Sequence, residues 1–391
     1  MVLFNFKAHT SAELIAVESW SFRLHFSFHC QVTAYLVGYC QAEGNSDRKM
    51  SGSCSEFLIL GMAGFAGAAF GWPMKHFRGW NWEHVWVGQS LTSNVIYPLA
   101  TLAVLWPLFR ETAMSICPAH YLELILLGAL WGVGGIGYGL SLNMLGLSFT
   151  YSVVFSVTTV CGALLPLWIG LQATPAHLFM FCFGLVLCVS GTLLLAQAGA
   201  GRSIDRLDSR KQIGSALVMP VPQLSYAASL ILALAAGVFS ASMGLALALN
   251  NGLVSRLTRL GVSSVIAPLI VWSPLGVGAG LVSISYGLVC AFRAGTLAKF
   301  HRERPIRNWA LVNLMGVLGF GGMLLYGLGA TGRGHPPANV AWATFMASYI
   351  LSGNAIGLML NEWKNCRRRT HVELFFGVVL LLGAIGALAA S

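Results

Sequence analysis

Long apolar runs, separated by short polar and basic stretches, recur along this chain from residue 57 to residue 390. Runs of about 18–26 apolar residues are long enough to cross the ~30 Å hydrocarbon core of a bilayer as helices. The pattern therefore predicts an all-α polytopic membrane protein. Its ten predicted transmembrane helices are 57–74, 85–109, 121–142, 147–170, 175–199, 226–250, 264–290, 309–330, 338–361 and 374–390.

Basic residues are unevenly distributed among the connections between these runs. The odd-numbered connections hold 15 Lys and Arg residues, whereas the even-numbered connections hold 4. Because Lys and Arg mark the cytoplasmic side of a membrane protein, we expect the odd connections to lie inside and both ends of the bundle to lie outside.

An internal repeat relates helices that lie five spans apart. Residues 126–140 align with residues 314–328 with seven identities, which include Tyr138 with Tyr326. A shorter match links spans one and six. Because each half then holds an odd number of spans, the halves must be inverted relative to each other, as in many secondary transporters. We therefore expect two inverted five-helix repeats.

The chain divides into four parts on this basis. Residues 1–49 carry charged residues throughout, so they form neither a membrane span nor a signal peptide. Translation from Met50 would remove this extension; the alternative is a cytoplasmic or interfacial appendage. The remainder is predicted to comprise a first repeat at 50–199, a cytoplasmic connection at 200–225 and a second repeat at 226–391.

Composition agrees with the apolar pattern. Hydrophobic residues make up 56% of the 391 positions and charged residues 9%, against roughly 25% charged in soluble domains, which excludes an ordinary soluble enzyme. The net charge of +10 lies almost wholly in the connections, where it reports orientation and contact with the lipid bilayer, so no nucleic-acid partner is expected. The nine cysteines have no paired metal spacing, and we expect neither disulfides nor a metal.

Ionisable residues are missing from the middle of every predicted span. Proton-driven carriers usually use an intramembrane ionisable group. The candidates for proton coupling are therefore acids at helix ends, foremost Glu83 and Glu362, with Glu123 as a third. Each of these can instead serve as an interfacial anchor.

Neutral polar and aromatic side chains occupy the spans instead, and they suit an uncharged, polyhydroxylated ligand. Gln89, Ser93 and Tyr97 share one face of span two, with Asn94 beside them and Pro98 expected to disturb the helix. Hydroxyls in membrane helices can instead bond to their own backbone. The residues predicted to bind substrate in a central cavity are Gln89, Asn94, Trp131, Tyr138, Ser240, Trp342, Tyr349 and Asn354.

Five short motifs follow one another on spans one, two, three, six and nine. They are GWPMK at 71–75, GWNWE at 79–83, GALWG at 128–132, GVFSA at 237–241 and LNEWKN at 360–365. Together they resemble the L-rhamnose–proton symporter family of the drug/metabolite transporter superfamily, from about residue 57 to the C-terminus. The resemblance implies a ten-helix carrier that takes up a deoxy-hexose with a proton and has no bound cofactor.

Three positions depart from the family pattern. Family members are expected to have two asparagines after the Trp131-Gly132 pair, where this chain has Gly135 and Gly137, and a His where this chain has Phe345. Losing amides and an ionisable group from the spans leaves both the sugar and the proton coupling open.

These observations predict a secondary active transporter of the inner membrane, not an enzyme, that imports a small neutral sugar such as L-rhamnose with a proton. An exporter of metabolites or drugs with the same fold is the alternative. A membrane enzyme would need clustered Asp, His or Lys at one membrane face, which the sequence lacks, and a sensor would need an output domain larger than the 200–225 connection. The sequence sets no oligomeric state.

Overall fold

A computed structural model describes residues 52–145, 147–168, 178–207, 225–331, 336–359, 363–364 and 366–391. The extension 1–49 and the expected start at Met50 lie outside the described residues. Within these ranges every regular element is helical. The helices of eight residues or more are α1 Gly52–Ala69, α2 Trp82–Val104, α3 Trp106–Ser115, α4 Pro118–Leu145, α5 Leu147–Trp168, α6 Leu178–Leu207, α7 Tyr226–Ser240, α8 Ser242–Leu249, α9 Asn251–Arg259, α10 Leu269–Arg293, α11 Pro305–Thr331, α12 Ala338–Met359 and α13 Arg368–Ala389. Two four-residue helical turns, Pro73–His76 and Lys299–Arg302, lie between them.

Six helical segments of the described chain are long and apolar enough to cross a membrane: α4, α6, the run α7–α9, α10, α11 and α13. A bent pair, α2 with α3, makes a seventh if it counts as one span. These segments confirm the predicted all-α polytopic membrane protein. The helix α12 can be more polar than the others because its neighbours surround it, and every residue from 339 to 348 is buried.

The second predicted span, 85–109, differs from the observed helix at both ends. The helix α2 begins at Trp82, and its axis turns by 101° between Val104 and Trp106. Pro107 lies in the first turn of α3, and a proline there has no backbone N–H with which to continue the hydrogen bonds of the preceding helix, α2. The bend therefore ends the span about one turn earlier than hydropathy predicts.

The helix α6 runs to Leu207, eight residues into the predicted 200–225 connection. Packing explains the extension. A Cβ at Gly201 would lie 2.6 Å from the Thr370 hydroxyl of α13, and the Arg202 guanidinium sits 4.7 Å from the centre of the Trp363 ring. Nearer the start of α6, the two helices meet through small residues, because Gly191 of α6 lies against the carbonyl of Gly377 of α13.

The sixth predicted span, 226–250, is broken rather than continuous. Its helix is interrupted at Ala241 and again at Asn250, giving α7, α8 and α9. At the first break the Ser242 hydroxyl donates to the carbonyls of Phe239 and Leu127 of α4, the kind of back-bonding that bends helices. This break ends α7 at Ser240, one of the predicted cavity residues.

Helices α4 and α10 pack at backbone distance. Gly128 of α4 lies against the Leu275 carbonyl, and Gly278 of α10 lies against the Ile125 carbonyl. Only residues without a side chain allow this approach, since a Cβ at either glycine would overlap the facing backbone.

We expect Gly128→Ala or Gly278→Ala to destabilise the protein by about 2 kcal/mol or more, because backbone cannot move aside as a flexible side chain can. Thermal unfolding in detergent, followed by tryptophan fluorescence, measures the change in Tm. Gly321→Ala is the matched control: nothing lies within 4 Å of its Cβ position, and alanine is the better helix former. Equal Tm values for all three variants would contradict the close contact.

Candidate substrate cavity

A cavity of about 250 Å³ lies between the helices. Residues of α1, α2, α4, α5, α7, α8, α10, α11 and α12 line it, whereas the described residues of α6 and α13 do not. Seven of the eight residues predicted to bind substrate lie on its wall: Gln89, Asn94, Trp131, Tyr138, Ser240, Trp342 and Tyr349. The structure therefore brings these seven together, and their role in binding remains a prediction.

A π-helical turn at Ser90–Ile96 shapes the α2 wall of the cavity. Pro98 has no N–H, so the carbonyl of Asn94 lacks its usual helical donor four residues on. The N–H of Tyr97 bonds instead to the Thr92 carbonyl, five residues back. Turns of this kind are rare and are frequently found at functional sites.

The wider turn also rotates Tyr97 out of the face that it was predicted to share with Gln89. Tyr97 does not line the cavity, and its hydroxyl donates to the Asn313 amide oxygen of α11 over 3.2 Å. On the other side of α2, Gly276 of α10 lies directly against the Asn94 carbonyl.

Three buried polar side chains on the cavity wall make no hydrogen bond to another described residue. They are Ser93, Asn94 and Ser283, exposed to 4%, 8% and 3%. None of their side-chain oxygen and nitrogen atoms is among the fully enclosed atoms without a partner, so these atoms stay accessible from the cavity. These groups are therefore positioned to bond a molecule inside the cavity. Gln89 differs, because its amide already donates to the Ser90 hydroxyl at 2.9 Å.

Sequence analysis missed Ser283, although its spacing carries a signal. It follows Gly276 and Gly280 of α10 at positions i, i+4 and i+7, which places all three on one helix face. That face meets α2, because a Cβ at Gly280 would overlap Val95 in the same π turn, and so a hydroxyl on it points toward the polar wall.

Aromatic rings form a second part of the wall. Tyr138 meets Phe155 edge-on with ring centres 5.9 Å apart, and Tyr349 stacks on the same phenylalanine at 5.4 Å. Trp86 covers Gly135, whose Cβ position lies 3.3 Å from the indole. Phe155 and Trp86 were not among the residues predicted from sequence.

Trp342 lines the cavity as a tightly held ring. It is 2% exposed, and its indole N–H donates to the Thr158 carbonyl at 3.1 Å. Gly162 of α5 and Gly244 of α8 lie against the ring, where any side chain would overlap it. The indole is therefore fixed by packing, so it supports the cavity wall more than it opens a flat face to a ligand.

Asn354 is the predicted residue that the structure does not place in the lining. Its amide donates to the Ile350 carbonyl of its own helix at 2.9 Å. The reason is geometric: Asn354 is five residues beyond Tyr349, so its side chain leaves the helix about 140° around the axis from the cavity-lining Tyr349.

Methionines form an apolar part of the wall that sequence analysis also missed. Met243, Met323 and Met346 come from α8, α11 and α12, and each is more than nine-tenths buried. Phe345 lies beside them on the wall. Of the departures from the family pattern, Gly135 and Phe345 both line the cavity, whereas Gly137 faces Ala236 of α7.

The cavity wall is free of charge: no Asp, Glu, Lys, Arg or His is among its described lining residues. A buried acid, Glu83, lies in the first turn of α2 with 3% exposure. Its carboxylate accepts hydrogen bonds from the Asn81 amide at 3.0 Å and from the Thr296 hydroxyl at 3.1 Å. The Asn81 amide oxygen in turn accepts from the Lys299 ammonium at 3.0 Å. Glu83 therefore ties α2 to the connection between α10 and α11.

His84 is held beside this acid as a neutral imidazole. Its Nδ1 accepts the backbone N–H of Asn81 at 3.3 Å, so the proton is on Nε2, which donates to the Thr296 carbonyl at 2.8 Å. The 3.7 Å separation from Glu83 is thus not an ion pair. Consequently, the groups in direct contact with the Glu83 carboxylate are polar but uncharged.

The other two acids considered from sequence differ from Glu83. Glu123 has a side chain that is 49% exposed and lies 3.3 Å from His120, at the opposite end of the bundle from Glu83, which fits an interfacial anchor. Glu362 lies outside the described residues.

The fold and the cavity define a multi-pass membrane transport protein. The sequence profile of the L-rhamnose-proton symport protein family matches residues 50–390, and the chain belongs to that family. It is 29% identical over 336 residues to the L-rhamnose-proton symporter of a Klebsiella pneumoniae strain, covering 83% of this chain and 93% of that protein. It is 28% identical over 348 residues to the Cronobacter sakazakii L-rhamnose-proton symporter, covering 86% and 97%.

Membership confirms several predictions at once. The family consists of transporters, so the chain is a transporter and not an enzyme. The bacterial relatives and the apolar helices together confirm a multi-pass protein of the inner membrane.

Proposed function

We propose that this chain imports L-rhamnose or a similar deoxy-hexose together with a proton. The observation that carries the proposal is the uncharged cavity, in which the unpaired Ser93, Asn94 and Ser283 face a space edged by aromatic rings. A monosaccharide offers hydroxyls to the first group and C–H faces to the second. The cavity volume of about 250 Å³ suits one sugar ring better than a drug-sized ligand, for which pockets span ~300–1,000 Å³.

We also infer ten spans arranged as two inverted halves, 50–199 and 226–391. Equivalent contacts support this arrangement. Gly134 of α4 packs against the Ala236 carbonyl of α7, and the aligned Gly322 of α11 packs against the Ala63 carbonyl of α1. Likewise α4 packs on α10 as α11 packs on α2.

Alternating access requires the bundle to open at one end and close at the other. At the end predicted to be cytoplasmic, the indole of Trp80 donates to the Lys299 carbonyl and the Asn308 amide donates to the Arg78 carbonyl, both at 2.9 Å. At the other end, His120 of α4 bonds to Asn250. We propose that these two sets of contacts break in turn during transport.

Glu83 is the proton site that we propose for this cycle. It lies six residues before Gln89, about 9 Å along α2 from the cavity. As a carboxylate it accepts the Thr296 hydroxyl of the α10–α11 connection on Oε1, and a proton on the carboxylate turns this charge-assisted hydrogen bond into a weaker, neutral one. Protonation would therefore loosen the cytoplasmic closure without placing a charge in the sugar cavity.

Uptake of labelled L-rhamnose into vesicles containing the purified protein, expressed from Met50, tests the proposal. We expect saturable accumulation under an inward proton gradient and its collapse with a protonophore. If sugar entry stops at equal inside and outside concentrations, with or without the gradient, the sugar assignment stands and the proposed proton coupling is overturned. The absence of saturable uptake would overturn the sugar assignment.

Loss of a cavity ring should weaken uptake strongly. We expect Trp131→Ala and Tyr349→Ala each to lower L-rhamnose uptake, measured as kcat/KM, by roughly ten- to hundredfold, from about 1–3 kcal/mol of lost contact. Trp106→Ala, at a 40% exposed ring of α3 outside the cavity, is the control and should transport normally. Normal transport by both cavity variants would refute their role in binding.

Export of metabolites, the alternative from sequence, is not favoured by the relatives. The proteins that the chain matches over most of its length are named as proton symporters of a sugar.

A further inference from the structure

The connection between α10 and α11 forms a basic surface at the end of the bundle predicted to be cytoplasmic. Residues 293–307 include five Lys or Arg residues and one acid. Lys299 is half-buried and donates to the Asn81 amide oxygen. Three other members of the five are exposed and form no ion pair with an acid of the described chain: Arg302, Arg304 and Arg307. Their charge is therefore available to a partner outside the chain.

Arg304 has a backbone conformation that arginine rarely adopts. Its φ is +47°, and among the described residues it is the one non-glycine position with a positive φ. Glycine and asparagine adopt this left-handed region more readily. The buried Asn308 holds the turn, since its N–H donates to the Arg304 carbonyl at 3.1 Å and its amide to the Glu303 carbonyl at 2.8 Å. An arginine kept at a strained position points to a role for its side chain.

Exposed apolar side chains place this surface at the level of the phospholipid headgroups. Phe292 at the end of α10 is 72% exposed, and Ile306 at the start of α11 is 63% exposed. Because both helices are long and apolar enough to cross the membrane, these two side chains face lipid tails. An exposed arginine follows each of them in the sequence, Arg293 and Arg307. The arginines therefore lie where the tails meet the headgroups, which is the usual position of arginine at the end of a membrane helix.

The same surface joins two connections of the bundle. The Arg307 guanidinium donates to the His76 carbonyl at 3.0 Å, and the Asn308 amide donates to the Arg78 carbonyl at 2.9 Å. His76 and Arg78 belong to the connection between α1 and α2. An anion bound by the exposed arginines would therefore hold the two connections together.

We infer that Arg302, Arg304 and Arg307 bind the phosphate of an anionic phospholipid, and that the bound headgroup stabilises this end of the bundle. Guanidinium groups bind phosphate oxygens by paired, charge-assisted hydrogen bonds, and basic surfaces next to a membrane helix attract anionic lipids. The occupant is a lipid because the arginines lie beside side chains that face lipid tails. This inference goes beyond the proposed function and holds whichever solute the protein carries.

Thermal unfolding of the purified protein in a neutral detergent tests the site. We expect added phosphatidylglycerol to raise the Tm by about 3 °C or more, and the same amount of phosphatidylcholine to have little effect. Equal shifts with both lipids, or no shift with phosphatidylglycerol, would overturn the inference. Inorganic phosphate at the same concentration should not reproduce the shift; if it does, the site binds a free anion and the lipid assignment is wrong.

A double variant locates the binding surface. A basic side chain near the membrane surface strengthens the attraction of anionic lipid by about fivefold. We therefore expect Arg302→Gln/Arg304→Asn to raise the half-maximal concentration of phosphatidylglycerol by about 25-fold. Arg256→Gln/Arg259→Gln removes the same charge from exposed positions of α9 at the other end of the bundle, and it should respond as the wild type does. An equal loss in both double variants would indicate general charge attraction and overturn the site.

Arg304→Asn alone separates lipid binding from folding. Because asparagine tolerates the left-handed backbone, the variant should unfold without lipid at the wild-type Tm or above it. Its half-maximal concentration of phosphatidylglycerol should nevertheless rise by about fivefold. A lower Tm without lipid, together with an unchanged response to phosphatidylglycerol, would show that Arg304 serves the turn alone and does not bind the headgroup.

Discussion

Replacing Glu83 by glutamine is expected to abolish accumulation of the sugar against its gradient while downhill exchange across the membrane continues. Glutamine keeps the shape of the side chain and can still accept from Asn81 and Thr296, but it cannot gain or lose a proton. Because the described residues that line the cavity carry no charge, binding of a neutral sugar should be little affected. Vesicles with an imposed proton gradient measure accumulation, and exchange of labelled for unlabelled sugar measures downhill movement.

Glu123→Gln is the matched control for this experiment. That carboxylate is half-exposed and lies at the other end of the bundle, so its neutralisation should leave accumulation unchanged. Accumulation by the Glu83 variant at the wild-type level would remove this residue from proton coupling. Loss of exchange together with accumulation would instead indicate that it serves the closure of the bundle alone.

Substitution of Asn94 by leucine should lower kcat/KM for sugar uptake by about a hundredfold or more. Asn94 is 8% exposed as a residue and has both an amide donor and an amide acceptor without a partner among the described residues, and leucine of similar size would set an apolar group against hydroxyls. Sites built to hydrogen-bond a hydroxyl discriminate strongly when one member of the pair is absent. Initial rates of uptake over a range of sugar concentrations provide the measurement.

Thr92→Val controls for disturbance of the π-helical turn. Thr92 lies in the same turn and is 4% exposed, but its hydroxyl donates to the Gly88 and Gln89 carbonyls and does not line the cavity. We expect uptake within a few-fold of the wild type. A comparable loss in both variants would show that the turn itself matters, and that the Asn94 amide does not contact the sugar.

Hydropathy and helical periodicity predicted much of this structure. The helices follow the predicted apolar runs, and polar or aromatic residues inside those runs pointed to seven side chains that the fold gathers around one cavity. Such residues are costly in a membrane helix unless they face the interior, which is why their positions carry information.

Periodicity fails where the backbone leaves the regular α-helix. The π turn of α2 moved Tyr97 off the face predicted for it, and the break before Ser242 could not be inferred from an apolar sequence. Distance along a helix also misleads when the rotation is neglected, as the position of Asn354 shows.

Contacts between distant segments were beyond the reach of sequence alone. Glu83 was identified as a candidate acid, but its partner Thr296 and the Lys299 that bonds the neighbouring Asn81 lie more than 200 residues away, and only the fold brings them near. The methionine wall is a similar case, since its members carry no shared motif and meet from three helices.

The pairing of α6 with α13 has a consequence for how the protein is made. The small residues on α6, such as Gly191, pack against α13, which the ribosome synthesises roughly 190 residues later. At a synthesis rate of ~5–20 residues per second, this delay is about 10–40 s. During that interval the face of α6 that will pack against α13 is exposed to lipid, where insertion factors or another nascent chain can contact it. Correct packing of α6 therefore depends on α13, a 22-residue helix, and quality control during biogenesis has a defined surface to recognise until that helix arrives.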